Sequence, residues 1–91
     1  MAMIAVFLNI DEAHLVTSLK EAGRKLDSAK GEIVLDFSSV GRIDTGALQS
    51  MEELARLADE RSVKVVLRGI NVDVYKVLKL VKLTRRFAFL N

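Results

Sequence analysis

Three times along this chain of 91 residues a short apolar, β-branched run gives way to a stretch in which apolar residues recur every three or four positions, and no proline interrupts the alternation. The runs are residues 4–8 (IAVFL), 33–37 (IVLDF) and 63–67 (VKVVL), with a shorter fourth at 87–90 (FAFL). Such runs do not alternate strictly between apolar and polar, which suits strands covered on both faces of a mainly parallel sheet. Between them the period is helical. Leu15, Leu19, Ala22 and Leu26 mark a helix over about 11–29, Leu48, Met51, Leu54, Ala55 and Ala58 a second over about 45–61, and Val74, Val77, Leu78 and Val81 a third over about 72–83.

Asp11 and Asn71 stand where the first and third helices need a side-chain acceptor for a free backbone N–H, and Asp44 or Thr45 does so for the second. The predicted order is β-α-β-α-β-α-β. Strands joined by single helices lie parallel through right-handed crossovers, so the expected fold is α/β, one small domain over residues 1–91 with a mostly parallel four-stranded sheet and three main helices. Glycine is sparse and there is no low-complexity stretch or repeat, so no second domain or linker is expected.

Few chemistries are open to such a chain. It has no cysteine, which removes disulfides, thiolate metal sites and cysteine nucleophiles. Its one histidine, His14, is read as a surface residue, since the pattern places no carboxylate or nucleophile against it. The glycines form no phosphate-binding loop, and neither a His-x-x-x-His pair nor an EF-hand loop is present. With four Phe, one Tyr and no basic-aromatic interleaving, stacking on nucleic acid is not expected. No catalytic residue, metal or cofactor is assigned. The N-terminus lacks a secretory pattern and no window is long and apolar enough to span a membrane, so a soluble, cytoplasmic protein is expected.

The most informative stretch is residues 34–48, VLDFSSVGRIDTGAL. A buried strand ends in a polar turn, an Ile-Asp pair follows, and Thr45 and Gly46 open a helix. Gly46 lets another chain approach the backbone, and a phosphate on a hydroxyl here meets the positive end of the helix dipole.

This series resembles the STAS domain, carried by Asp36-Phe37-Ser38, Ile43-Asp44-Thr45-Gly46-Ala47-Leu48, Leu54-Ala55-Arg56-Leu57-Ala58 and Val63 to Asn71 with Val74 to Leu80. STAS domains include anti-sigma-factor antagonists, tails of sulfate transporters and small subunits of bacterial phospholipid ABC transporters. The resemblance implies a protein-interaction module that docks through the 38–46 turn and the helix after it. Ser38, Ser39, Arg42, Asp44, Thr45, Gly46, Gln49, Glu52 and Glu53 are then the partner-binding residues. Two departures stand out. Family members usually begin with two strands, where this chain has room for one, and the position that antagonists phosphorylate is Gly46 here, which leaves Thr45 as the candidate acceptor ahead of Ser38 and Ser39.

Two partner classes follow from the resemblance: a kinase-like anti-sigma factor, or, as the alternative, the ATPase of a phospholipid-type ABC transporter. A homodimer is left open. The charge pattern adds a further constraint. Residues 1–60 hold six Lys/Arg against eleven Asp/Glu, a balance of −5, and residues 61–91 hold eight against one, a balance of +7. Lys76, Lys79, Lys82, Arg85 and Arg86 beside the third helix suit an anionic membrane, but the sheet needs that helix's apolar face, so membrane contact is expected only through a partner. The acidic and basic segments are instead expected to offset each other in part and to orient a protein partner.

Overall fold

A computed structural model describes residues 6–90. Four strands, β1 (Val6–Asn9), β2 (Glu32–Asp36), β3 (Lys64–Arg68) and β4 (Ala88–Leu90), form one sheet in the order β1-β2-β3-β4, with every neighbouring pair parallel. The crossovers are helix α1 (Leu15–Lys25), flanked by 3₁₀ turns Glu12–His14 and Leu26–Ser28, then α2 (Thr45–Glu60) and α3 (Val72–Leu80). Positions 4 and 5 of the expected first strand lie outside the described residues. The first helix is shorter than the 11–29 span, because its ends tighten into 3₁₀ turns rather than continuing the α ladder.

Coverage of the sheet departs from expectation. Strands that add one after another in a single direction through right-handed crossovers put all their helices on the same face. On that face Ile33, Leu35, Val65 and Leu67 are buried against Leu19, Ala22, Met51, Leu54 and Leu78, with Val6 and Leu8 partly buried beside them. On the other face Phe7, Val34, Val66 and Ala88 share one register row across all four strands. Val66 is buried there but stands outside the main core, and Phe7 is half exposed with the Arg68 guanidinium 5.9 Å over its ring. The apolar character of the runs therefore comes from neighbours within the sheet as well as from helices.

The last turns of α2 and α3 also end differently from the sequence reading. Ser62 (φ 55°) and Lys82 (φ 63°) adopt the left-handed conformation that usually takes glycine. Each helix then closes with the paired bonds of a Schellman motif: Ser62 N–H to the Asp59 carbonyl and Val63 N–H to that of Ala58, Lys82 N–H to that of Lys79 and Leu83 N–H to that of Leu78. Buried Val63 and Leu83 anchor the chain just past each helix. With no glycine to signal it, the end of α3 comes at Leu80 rather than 83.

Candidate functional site

In a parallel sheet all strands end at the same edge, which is where open α/β folds place their binding sites. Here the connections after β1, β2 and β3 meet at that edge, and their hydrogen bonds converge on residues 37–44. Ladder-like bonds continue past the strands, from Ile10 N–H to the Asp36 carbonyl, Phe37 N–H to that of Arg68 and Gly69 N–H to that of Leu90. The turn itself is held at several points. Asp36 accepts from the Ser38 amide at 2.9 Å and the Ser38 hydroxyl at 2.6 Å, and these two bonds, the hydroxyl's foremost, lower its carboxyl below the usual value. The Ser39 hydroxyl donates to the Ile10 carbonyl at 3.1 Å.

Two residues outside the predicted site complete the latch. Glu12 Oε1 accepts from the Gly41 amide in a short bond and from the Arg42 amide at 3.3 Å. Asn71 does two jobs: its Oδ1 caps α3 by accepting from the Val74 amide at 2.8 Å, and its Nδ2 donates to the carbonyls of Val40 and Gly41 at 3.2 and 3.1 Å. The cap was legible from spacing; the second role has no local sequence signal. Gly69, in the left-handed region at φ 74°, lies so close to Ser38 that a Cβ there would stand 2.9 Å from the Ser38 Cβ.

Asp44 is the N-cap of α2, with its Oδ1 accepting from the Ala47 amide at 2.8 Å. Thr45 and Gly46 then occupy the first helical turn and are exposed. Of the predicted partner-binding residues, all nine are exposed, and the helix periodicity sets Gln49, Glu52 and Glu53 on the outer side of α2 after the turn. Ser38, Ser39 and Asp44 spend their side chains on the fold, whereas Arg42, Thr45, Gln49 and Glu52 make no side-chain hydrogen bond among the described residues. Glu53 is paired with Arg56, which also takes Glu60, and the Arg56 hydrogen bond lowers the Glu53 carboxyl below its usual value. The acidic face of α2 is thus partly neutralised from within the helix.

Beside this strip, α1 and α2 leave an open groove of about 730 Å³, floored by Val16, Gly23, Gly46 and Leu57 and rimmed by Lys20, Arg24 and Glu53. Gly23 and Gly46 keep the floor low. His14 is on the surface as expected, but a carboxylate does face it: its Nδ1 lies 3.1 Å from Asp11, and this bond lowers the Asp11 carboxyl. Among the described residues no cluster of acidic or histidine side chains is arranged to hold a metal ion.

The family model described as "Mlab, STAS domain" matches residues 5–90. Among characterised proteins, the chain is similar to the intermembrane phospholipid transport system binding protein MlaB of Escherichia coli K12, 39% identical over 57 residues that make up 63% of this chain and 59% of that protein. It is also similar to sulfate transporter 3.1 of Arabidopsis thaliana, 37% identical over 60 residues, 66% of this chain and 9% of the transporter. The chain therefore matches less than two thirds of the length of either relative. A crystal structure from Thermotoga maritima, provisionally assigned as an anti-sigma factor antagonist, superposes with a TM-score of 0.70 at 27% identity, covering 98% of this chain and 75% of that one. The NMR structure of the protein TM1081 superposes with a TM-score of 0.75 at 20% identity over 93% of this chain and 72% of that one, a likeness of fold.

Proposed function

The chain belongs to the STAS domain family, and from that membership we propose that it is a non-enzymatic docking protein of the cytoplasm, an accessory subunit that holds the ATPase of a phospholipid-type ABC transporter. The contact is made by the turn 38–46 and the outer side of α2. Arg42, Thr45, Gln49 and Glu52 offer unspent polar groups, and the α1–α2 groove offers apolar area beside them. No covalent step is involved; the partner is bound and held.

The observation that carries this reading is the opening of α2. Its turn is latched from three sides by Asp36, Glu12 and Asn71, yet Gly46 supplies no hydroxyl where the antagonist branch carries its phosphoacceptor. A rigid surface without that acceptor suits constitutive assembly, and the similarity to MlaB points the same way. Affinity purification of the chain from its native cell, beside Asp44→Lys and Gln49→Lys/Glu52→Lys, tests it. An ATPase and a permease recovered with the unaltered chain and lost from the variants is the expected result. Recovery of a kinase-like protein alone overturns it.

A second reading rests on Thr45. Its hydroxyl is exposed at the first position of α2, where a phosphate would face the free N–H groups and the positive end of the helix dipole. The domain would then be an antagonist released from an anti-sigma-factor kinase by phosphorylation. Mass spectrometry of the purified chain decides between the two through phosphate on Thr45.

A further inference from the structure

The outer side of α3 and the segment after it combine two properties that the docking site does not use. Of the large apolar side chains exposed among the described residues, all but Phe7 fall between positions 72 and 90: Val72, Tyr75, Leu80, Val81, Phe89 and Leu90. The same stretch holds five cations against Asp73 alone, and only Arg86, bonded to Asp59 at 2.8 Å, has a carboxylate partner among the described residues. The two properties meet at the end of α3. Lys76, Lys79 and Leu80 stand at i, i+3 and i+4 and so share a face, and Val81, Lys82 and Arg85 follow at once.

The expectation of only indirect membrane contact assumed that the sheet takes all the apolar surface of this helix. Val74 and Leu78 meet that need and are buried. Leu80 is 82% exposed and Val81 46%, so the fold does not use them. Lysines near a helix C-terminus are explained by the dipole alone. Two adjacent aliphatic side chains standing among unpaired cations are not, and an acidic protein surface would answer the cations while leaving the leucine in water. A surface of anionic headgroups over hydrocarbon answers both.

We infer that the C-terminal end of α3, with Lys76, Lys79, Leu80, Val81, Lys82 and Arg85, is a peripheral contact for an anionic phospholipid surface. Crossover helices run back against parallel strands, so this end of α3 lies at the edge of the sheet opposite the 38–46 turn. A partner held at the turn and a bilayer met by α3 can therefore be engaged together. Each cation near such a surface strengthens binding roughly fivefold, so the contact is weak alone and salt-sensitive.

Co-sedimentation of the purified chain with vesicles of phosphatidylcholine, with and without phosphatidylglycerol, at low and raised salt tests the contact. Binding to the anionic vesicles only, lost on raising the salt, is expected. Lys76→Glu/Lys79→Glu should weaken it by about 25-fold or more, and Leu80→Gln roughly tenfold at unchanged charge. Leu80 is exposed, so Leu80→Gln should unfold at the same urea concentration as the parent. No sedimentation with anionic vesicles at low salt overturns the inference. So does binding that Leu80→Gln leaves intact and that soluble polyglutamate matches, which would mark a site for an acidic protein.

Discussion

Gly69 and Gly31 make a matched pair for measuring how firmly the 38–46 turn is pinned. Both lie in the left-handed region, at φ 74° and φ 94°. An added Cβ at Gly31 meets nothing within 4 Å, whereas at Gly69 it would stand 2.9 Å from Ser38 Cβ, 3.1 Å from its Cα and 3.2 Å from its amide nitrogen. Forcing alanine into left-handed backbone costs about 1–2 kcal/mol, and the lower entropy of unfolded alanine returns about 0.4–1 kcal/mol. Gly31→Ala should therefore lose about 0.5–1.5 kcal/mol. Gly69→Ala adds overpacking against backbone rather than against a flexible side-chain end, about 1–3 kcal/mol more, for a total of about 1.5–4.5 kcal/mol. Urea unfolding of both variants measures the difference, and the amide resonances of Ser38 to Arg42 should move only in Gly69→Ala. Equal losses at the two sites, or unmoved turn resonances in Gly69→Ala, would refute the idea that Gly69 fixes Ser38.

Four further outcomes are expected. Asn71→Ala removes a helix cap worth about 1 kcal/mol and two bonds to the turn, for a loss of about 2–3 kcal/mol in urea unfolding, with faster hydrogen exchange in α3 and in the turn. Ser62→Gly relieves a left-handed non-glycine residue and should raise stability by about 0.5–1 kcal/mol in the same assay. Gly46→Ser places its Cβ 3.6 Å from Asp44 Oδ1 and 3.8 Å from a Val16 methyl, ordinary distances, so it should fold with stability unchanged or higher by about 0.5 kcal/mol, and phosphoproteomics should find the new hydroxyl unmodified under constitutive assembly and phosphorylated under the antagonist reading. Asp36 has its native carboxyl held below its usual value of 3.8 by Ser38, so its contribution is whole above that pH and fades as the pH falls through the native value. The stability gap between the parent chain and Asp36→Asn should thus be constant near about pH 6 and shrink below pH 3.8.

What could be read from the sequence was whatever acts within a few residues. Helical spacing placed α1, α2 and α3, and Asn71, with Asp44 or Thr45, stood out as caps because the amides that such side chains accept from lie two or three residues ahead; the structure gives the second cap to Asp44. The parallel direction of the strands followed from the single helix between each pair of runs, while their order across the sheet came only from the structure. The bare face of the sheet did not, because Val34 and Val66 look like residues covered by helices when neighbouring strands shield them. Glu12 was equally invisible. It holds amides that lie 29 and 30 residues away, and a carboxylate reaching backbone requires no matching residue type there. The groove between α1 and α2 was missed for a related reason: Gly23 and Gly46 belong to different helices, and only packing makes them one floor.

The split between an acidic and a basic segment, read from the sequence as partly self-neutralising, is resolved by where the partners lie. The acidic side of α2 is answered largely from within, by Arg56 on Glu53 and Glu60, and by Arg86 on Asp59. Arg61 goes to Asp27 at the end of the first crossover. These pairs are exposed, so each contributes about 0–1 kcal/mol at most and none dictates the fold. They consume only Arg61 and Arg86 from the basic segment. Lys76, Lys79, Lys82 and Arg85 keep their charge facing outward at one end of the molecule, while the turn with Asp44 and Thr45 faces outward at the other. Long-range charge therefore runs along the strands, and an anionic surface meeting the basic end would leave the 38–46 turn pointing away from it, toward a partner standing off that surface.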